Sequence, residues 1–456
     1  MSNKIAGLLP YIAQNEDFKS GADTPRRFLE RALEHLAEFE PQVAAFIATN
    51  IEGARQAADR AADRWRDGKP RSPIDGMPMG IKDVIETADM PTQMGSPLFE
   101  DWHSHKDAAS VAALRDAGAV ILGKTVTTEF AMAFPRGNTR NPHDLSRTPG
   151  GSSSGTAAGV GAGFISAGLG TQVIGSVLRP ASFCGAFGFK PTVHAINRTG
   201  SHDYQSQSCT GIIAASLEDT WQVAYEIAIR AGGDPGWPGL AGPDKLPAAK
   251  KPRALAFIET AAWASATDDA KRQLGQGLDR IKAAGVKILT RQDHAIVDAV
   301  EVDIADAMPL SMSFSDWEMR WFIRTLADRD IEKLSQPVRE RFSLAEKMTL
   351  AEYRERLIMR DGIRAGYEEL ATDCDGCVTL MASGAAPVGL QSTGNPAFAI
   401  PSSLLGTPAL SLPVLETEGL PLGLQFIGFA NRDADAFATA AWLQGLFGQA
   451  RMMGRH

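Results

Sequence analysis

Between Thr148 and Thr192 the chain runs TPGGSSSGTAAGVGAGFISAGLGTQVIGSVLRPASFCGAFGFKPT, with eleven glycines and six serines in 45 positions. Glycine loses more conformational freedom on folding than any other residue, so glycines crowded together must serve close backbone approach or positive φ. Such a segment is neither an ordinary amphipathic helix nor an ordinary strand. Helix and sheet have to meet here with little side-chain bulk between them, and the isolated hydroxyls are placed by the backbone.

The flanking sequence supplies the layers. TPRRFLERALEHLAEF puts Phe28, Leu29, Ala32, Leu33 and Leu36 on one face of a helix that Thr24 caps and Pro25 starts. AAFIAT predicts a short strand, and IEGARQAADRAADRWRDG a helix stopped by Gly68 and Pro70. DGMPMGIKDVIET is a turn into a strand, and DAASVAALRDAG followed by AVILGKT is a helix and then a buried strand, the alternation of an α/β sheet. After Thr192 the pattern loosens. PRALAFIE and VKILT predict strands around the helix ATDDAKRQLGQGLDRIKAAG. Residues 294–371 read as almost wholly helical, an insertion or cap beside the sheet. CVTLMA, PALSLPV and LGLQFIG return to strand, and DADAFATAAWLQGLFGQ closes the chain as a helix. No fixed-period repeat appears.

Composition limits what this fold does. The chain has 456 residues, 44% hydrophobic, with a net charge of -8. Its basic residues are scattered, so no nucleic-acid partner is expected. It has no run of about 18 apolar residues, so no membrane partner is expected. MSNKIAGLLPYIAQNEDF lacks a signal-peptide pattern, which points to the cytoplasm. Four cysteines are too few for a disulfide scaffold. Cys374 and Cys377 form a C-x-x-C, open to a redox or metal role, but CVTLMA reads as a buried strand and free Cys is a common buried residue.

Four readings compete for the glycine- and serine-rich segment. A phosphate loop fits poorly, because Thr156 stands where such a loop needs its lysine. A nucleophile elbow is met literally by Gly151-Ser152-Ser153-Ser154-Gly155, but the strand it requires is replaced by the proline-punctuated NPHDLSRTPG. His194, His202 and His294 are the candidate bases for that elbow, and none has a matching Asp signature. A purely structural role explains the glycines but not the isolated Ser176 in GTQVIGSVLRPASFCG. The fourth reading joins the segment to MGIKD. Lys82 lies in an apolar strand context, where burial lowers its pKa toward a neutral amine, although a single such lysine taken alone is more often a snorkelling surface residue. A neutral lysine can take a proton from one serine that takes it from another, and a hydroxyl needs such a base to become a nucleophile.

With these residues in view the sequence resembles the amidase signature family of serine hydrolases, through GIKD, PGGSSSG, GTQVIGSVLRPASFCG and GFKPT, and through the C-terminal STGNPAFAIPSSLLGTPALSLPV and GLPLGLQFIG. The resemblance covers most of the chain. It implies an α/β amidase signature fold, a large mixed central sheet with helices on both faces and a helical elaboration. The expected division is a single domain over 1–456, with N-terminal helices over 1–70, a signature core over 71–215 and the helical insertion over 294–371. The resemblance further implies Lys82 as general base, Ser176 as nucleophile and Ser152 as the bridging serine, held by a cis peptide bond. The backbone N–H groups of Val173, Ile174, Gly175 and Ser176 match the oxyanion hole. The implied chemistry is hydrolysis of an amide, with esters or carbamates as further substrates. It passes through an acyl-enzyme and needs no cofactor and no metal.

The chain departs from the family pattern in places. Gln172 stands where the commonest loop has Asp, and Val173 and Ile174 where it often has Thr-Gly. A family Asp is replaced within SQSCTG, near Ser208, so Gln172 and that segment are expected to support each other. The GTQ…GSV-x-RPA variant resembles a branch that includes bacterial malonamidases, which suggests an Arg179 that binds a carboxylate or carbonyl-rich substrate, with an arginine that only braces the loop as the equal alternative. Arg179, Gln172 and Ser153 are the expected substrate-binding residues. Met308, Met312, Trp317 and Trp321 are either pocket lining or plain core. The expected partner is a small-molecule substrate, with a homodimer as the candidate assembly. A glutamine-hydrolysing component of a tRNA amidotransferase complex and a non-catalytic protein of the same fold are the alternatives.

Overall fold

Residues 5–132, 135 and 137–448 are described by the structure, a computed structural model. Eleven strands form one sheet. They are β1 (Phe46–Thr49), β2 (Pro78–Lys82), β3 (Val120–Thr125), β4 (Ala167–Gln172), β5 (Phe187–Lys190), β6 (Cys209–Ala214), β7 (Ala254–Phe257), β8 (Lys287–Leu289), β9 (Cys377–Leu380), β10 (Ala409–Thr417) and β11 (Leu420–Ile427). Their spatial order is β1-β3-β2-β4-β6-β5-β10-β11-β9-β7-β8. Parallel pairing joins β3 to β2, β2 to β4, β9 to β7 and β7 to β8; the remaining neighbours are antiparallel, so the sheet is mixed.

Apart from the edge strands β1 and β8, which are partly exposed, the strands are buried on both sides, and their residues alternate between two cores. Val120 and Leu122 join the cluster built with Leu29, Leu33, Ala54 and Ala58, while Ile121 joins a second cluster on the opposite face with Leu114, Trp221 and Ile227. Ile213 and its neighbours Ile212 and Ala214 divide in the same way. This is the expected sheet with helices on both faces. A third cluster gathers Ala256, Ile258, Phe314, Tyr367, Leu404 and Ile427. Val177 packs in the cluster of the N-terminal helices and Leu178 in this third one, so the chain just after Ser176 lies on the seam between two cores.

The predicted helices form where capping and patterning place them. The Thr24 hydroxyl accepts from Arg27 N at 3.2 Å at the start of the helix Pro25–Val43, and Asn50 caps Ile51–Arg66. Residues 294–371 hold the helices Ala295–Asp303, Ala307–Asp330, Gln336–Ala345 and Leu350–Glu369. Cys377 opens β9, and both cysteines of the C-x-x-C are buried free thiols. No helix among the described residues is long and apolar enough to cross a membrane.

Candidate active site

Strands β2 and β4 are parallel neighbours, with Ile81 opposite Leu169, so Lys82 and Gln172 leave the sheet at the same edge. Crevices beyond the carboxyl ends of parallel strands are where α/β sheets put their ligands. The short helix Ser154–Gly161 runs back beside this edge with no side chain between: a Cβ on Gly155 would sit 2.1 Å from Ala45 O and 2.3 Å from Val126 N. Close approach of this kind is what the glycines provide. The docking brings the preceding serines, Ser152 and Ser153, up to β2 and β4. The Gly151–Ser152 peptide bond is cis.

Lys82 is fully buried, and its Nζ donates to Ser152 Oγ at 2.7 Å, to Thr171 Oγ1 at 2.7 Å and to Thr171 O at 3.3 Å. Among the described residues no carboxylate bonds to it. Its sequence neighbour Asp83 forms an ion pair with Lys124 at 3.2 Å instead. Burial brings the Lys82 pKa down from the usual 10.5 to about 7, against a smaller opposing pull from the charge of Asp203. The amine therefore gives up its proton near neutral pH, which a base requires. Ser176 is almost buried, and Ser153 N donates to its carbonyl at 3.2 Å, which ties the two serine loops together. The Ser176 hydroxyl makes no hydrogen bond among the described residues.

The loop from Val173 to Ser176 lies outside the regular strands and helices. None of its four N–H groups donates to an acceptor among the described residues. Gly175 has φ 154°, and a Cβ there would lie 2.8 Å from Ala399 Cβ, so the turn excludes a larger residue. The arrangement can hold a carbonyl carbon against a hydroxyl and present free donors to its oxygen.

Two expected substrate-binding residues have other tasks. Gln172 Oε1 accepts from Val177 N and Leu178 N, both at 3.0 Å, and its Nε2 donates to Ser403 Oγ at 3.0 Å. With both ends of its amide engaged, Gln172 braces the nucleophile loop and caps the helix Leu178–Phe183 rather than facing a ligand. Ser153 is buried, and its Oγ bonds to Thr171 O and accepts from Thr171 N, each at 3.4 Å, so it stitches the serine loop to β4. Gln172 pairs through its backbone with Cys209 of the segment near Ser208, but the side chains of Gln172 and Ser208 do not bond to each other. Ser208 Oγ accepts from Arg198 at 2.8 Å, and it is Gln207 that reaches the loop, donating to Val173 O at 3.0 Å.

Arg179 does lie at the site. Its NH2 donates to Gly151 O at 2.7 Å and to Thr393 Oγ1 at 3.0 Å, while Nε and NH1 have no partner among the described residues. Burial without an acid lowers its pKa from 12.5 to about 10. The histidines weighed as bases pair with acids elsewhere: His194 with Asp234, His202 with Glu86 and His294 with Asp373. Met308 and Trp321 are exposed, Met312 is partly buried, and Trp317 stacks on Tyr353 at 5.2 Å, so none of the four is plain core. Sequence reasoning missed Thr171, Asp203, Gln207 and Thr393. Thr171, Gln207 and Thr393 lie inside the quoted GTQ, SQSCTG and STGNPAF, but nothing there singled them out.

A family profile described as Amidase matches residues 27–436. A glutamyl-tRNA(Gln) amidotransferase subunit from Chloroflexus aggregans is 31% identical over 458 residues, covering 92% of this chain and 92% of the relative. The protein of the same name from Oleidesulfovibrio alaskensis is 33% identical over 474 residues, covering 94% and 95%. A solved structure titled "Crystal structure of amidase" superposes with a TM-score of 0.81 at 25% identity, covering 96% of this chain and 99% of that one. The chain belongs to the amidase signature family and is an enzyme that hydrolyses carbon–nitrogen bonds of amides.

Proposed function

We propose that the chain is a free-standing amide hydrolase working through Lys82, Ser152 and Ser176 and an acyl-enzyme. One observation carries this reading: a buried lysine with a pKa of about 7 bonds at 2.7 Å to the hydroxyl of Ser152, with no carboxylate among the described residues bonded to it. Neutral Lys82 takes the Ser152 proton as Ser152 takes that of Ser176. The Ser176 oxygen then attacks the amide carbonyl. The N–H groups of Val173 to Ser176 receive the oxyanion, where loss of one such donor typically costs about 3 kcal/mol. As the tetrahedral intermediate collapses, the C–N bond breaks and the relay returns its proton to the leaving amine. Water repeats the sequence and frees the acid. Esters and carbamates are attacked at the same carbon and fall within this reading.

Arg179, buried and with two nitrogens unpartnered among the described residues, supports a substrate that brings a carboxylate or a carbonyl-rich group to the site. The division into helices over 1–70, a core over 71–215 and an insertion over 294–371 of one domain belongs to the same reading. It is supported by a single sheet that draws strands from both ends of the chain. A second reading is favoured by relatives named as amidotransferase subunits: a glutamine-hydrolysing protein that acts in a hetero-complex rather than as a homodimer.

The test is a panel of aliphatic, aryl, dicarboxylic-monoamide and carbamate substrates given to the purified chain alone. The expected result is acid and amine released without a partner, abolished in Ser176→Ala. Release only after a partner protein is added would favour the second reading, and a Ser176→Ala enzyme that keeps its rate overturns the relay.

A further inference from the structure

The oxyanion donors sit in a loop without regular backbone pairing, so something must fix their direction. We infer that Gln207 is the positioning residue that aims the N–H of Ile174 at the oxyanion. In a planar trans peptide the C=O and N–H point in opposite directions. Whatever holds the Val173 carbonyl therefore sets the Ile174 N–H. The holder is Gln207 Nε2, at 3.0 Å. The carbonyls of Gly175 and Ser176 are held by backbone, from Arg179 N at 3.1 Å and Ser153 N at 3.2 Å. Val173 is the member of the loop whose carbonyl depends on a side chain.

Gln207 is itself fully buried, and its Oε1 has no partner among the described residues. An unpartnered buried oxygen lowers stability. The one bond its amide makes among those residues is the bond to Val173. Its position is fixed from the helical insertion. Ser206 N donates to Glu318 Oε2 at 2.7 Å and Ser206 Oγ to Glu318 Oε1 at 2.5 Å. Tyr353 donates its hydroxyl to the same Oε1 at 2.7 Å, and Arg360 NH1 donates to Ser206 Oγ at 2.7 Å. Ile174, on the other end of the pinned peptide, packs partly buried against the cluster that contains Phe314 of the same insertion. The insertion thus reaches the reacting centre through a backbone carbonyl, not through a substrate contact.

This rests on the reading that Ser176 attacks opposite these N–H groups. The experiment compares wild type with Gln207→Met, which keeps length and volume but cannot donate. It measures kcat and KM for an amide, and the inhibition constant of the aldehyde carrying the same acyl group, whose adduct with Ser176 places an oxyanion at the donors. The expected result is a kcat roughly tenfold to a hundredfold lower, with KM changed by less than about threefold. The aldehyde constant weakens in parallel with kcat/KM, because a transition-state mimic loses what the transition state loses. The acid limb of the pH profile stays in place, since Lys82 is untouched. A merely structural role predicts a weakened KM with the ratio of aldehyde to substrate affinity unchanged, and that result, or an unchanged kcat, overturns the proposal. Should Gln207→Met fail to fold, Gln207→Leu keeps an apolar side chain of similar size and likewise cannot donate to Val173 O, with the same expectation. Loss of aldehyde binding in Ser176→Ala separates the two claims: if it does not occur, the earlier reading has failed rather than this one.

Discussion

The segment from Thr148 to Thr192 and the helices from Ala295 to Glu369 are held by opposite means. The first is buried almost throughout and is held by backbone: glycines at sub-side-chain distances, a serine loop tied to a nucleophile loop, a glutamine capping a short helix. The second is amphipathic at best and exposes Val302, Trp321, Leu344, Leu350, Ile358 and Met359. Its joints are side chains: Trp317 stacked on Tyr353, Arg320 lying 3.3 Å over Trp317, and Arg341 donating to Met132 O at 2.9 Å. At the site, close backbone approach is joined by buried side chains that bond to backbone, Gln172, Ser153, Arg179 and Gln207. The insertion is joined chiefly by side chains, many of them only partly buried.

The contrast predicts how each region answers substitution. Gly155→Ala is the harshest test, because backbone atoms at 2.1 and 2.3 Å cannot yield as a flexible side chain would. Overpacking of this kind should destabilise by about 3 kcal/mol, read by urea unfolding, and any soluble enzyme should lose rate because Ser152 lies just ahead of the same helix. Stability within error of wild type would break the comparison at its centre. A middle-sized effect belongs to Asp203, whose negative charge opposes the downward shift of the Lys82 pKa. Asp203→Asn removes that opposition, so Lys82 becomes neutral at lower pH. The acid limb of kcat/KM, which should lie near pH 7, then moves to lower pH by up to about one unit. A limb that moves upward or not at all disagrees. The smallest effect is expected in the insertion: Ile358, 73% exposed, should change stability by less than about 0.5 kcal/mol when replaced by Ser. A large loss by thermal unfolding would mean that the insertion is held by more than its visible joints.

Much of this was legible in the residues. Alternation and capping located β2, β3, β7, β8 and the helices around them, while Lys82, Ser152 and Ser176 were named through the family resemblance, and the structure bonds the first two. What escaped had physical reasons, one helix excepted. Strand β6, CTGIIA, is buried on both faces and carries Gly211 at its middle, so it shows neither alternation nor length. The helix Leu217–Ala231 carries a Ser216 cap and an apolar stripe, both legible in the sequence, yet it was passed over. Gln172 and Ser153 stand beside the reacting residues in sequence yet turn into the scaffold, because the direction of a side chain is set by partners that a single chain segment does not reveal. Gln207, 31 residues after Ser176, meets Val173 only through the pairing of β4 with β6.

The grip of Arg179 on Gly151 has a consequence for the serine loop. One amino group of the guanidinium holds the peptide that carries Ser152, and two further nitrogens stand open among the described residues. The guanidinium is one planar unit, so whatever turns its open side also turns the group that holds Gly151. A change at position 179 therefore acts on the backbone that carries Ser152 as well as on the open side of the cation.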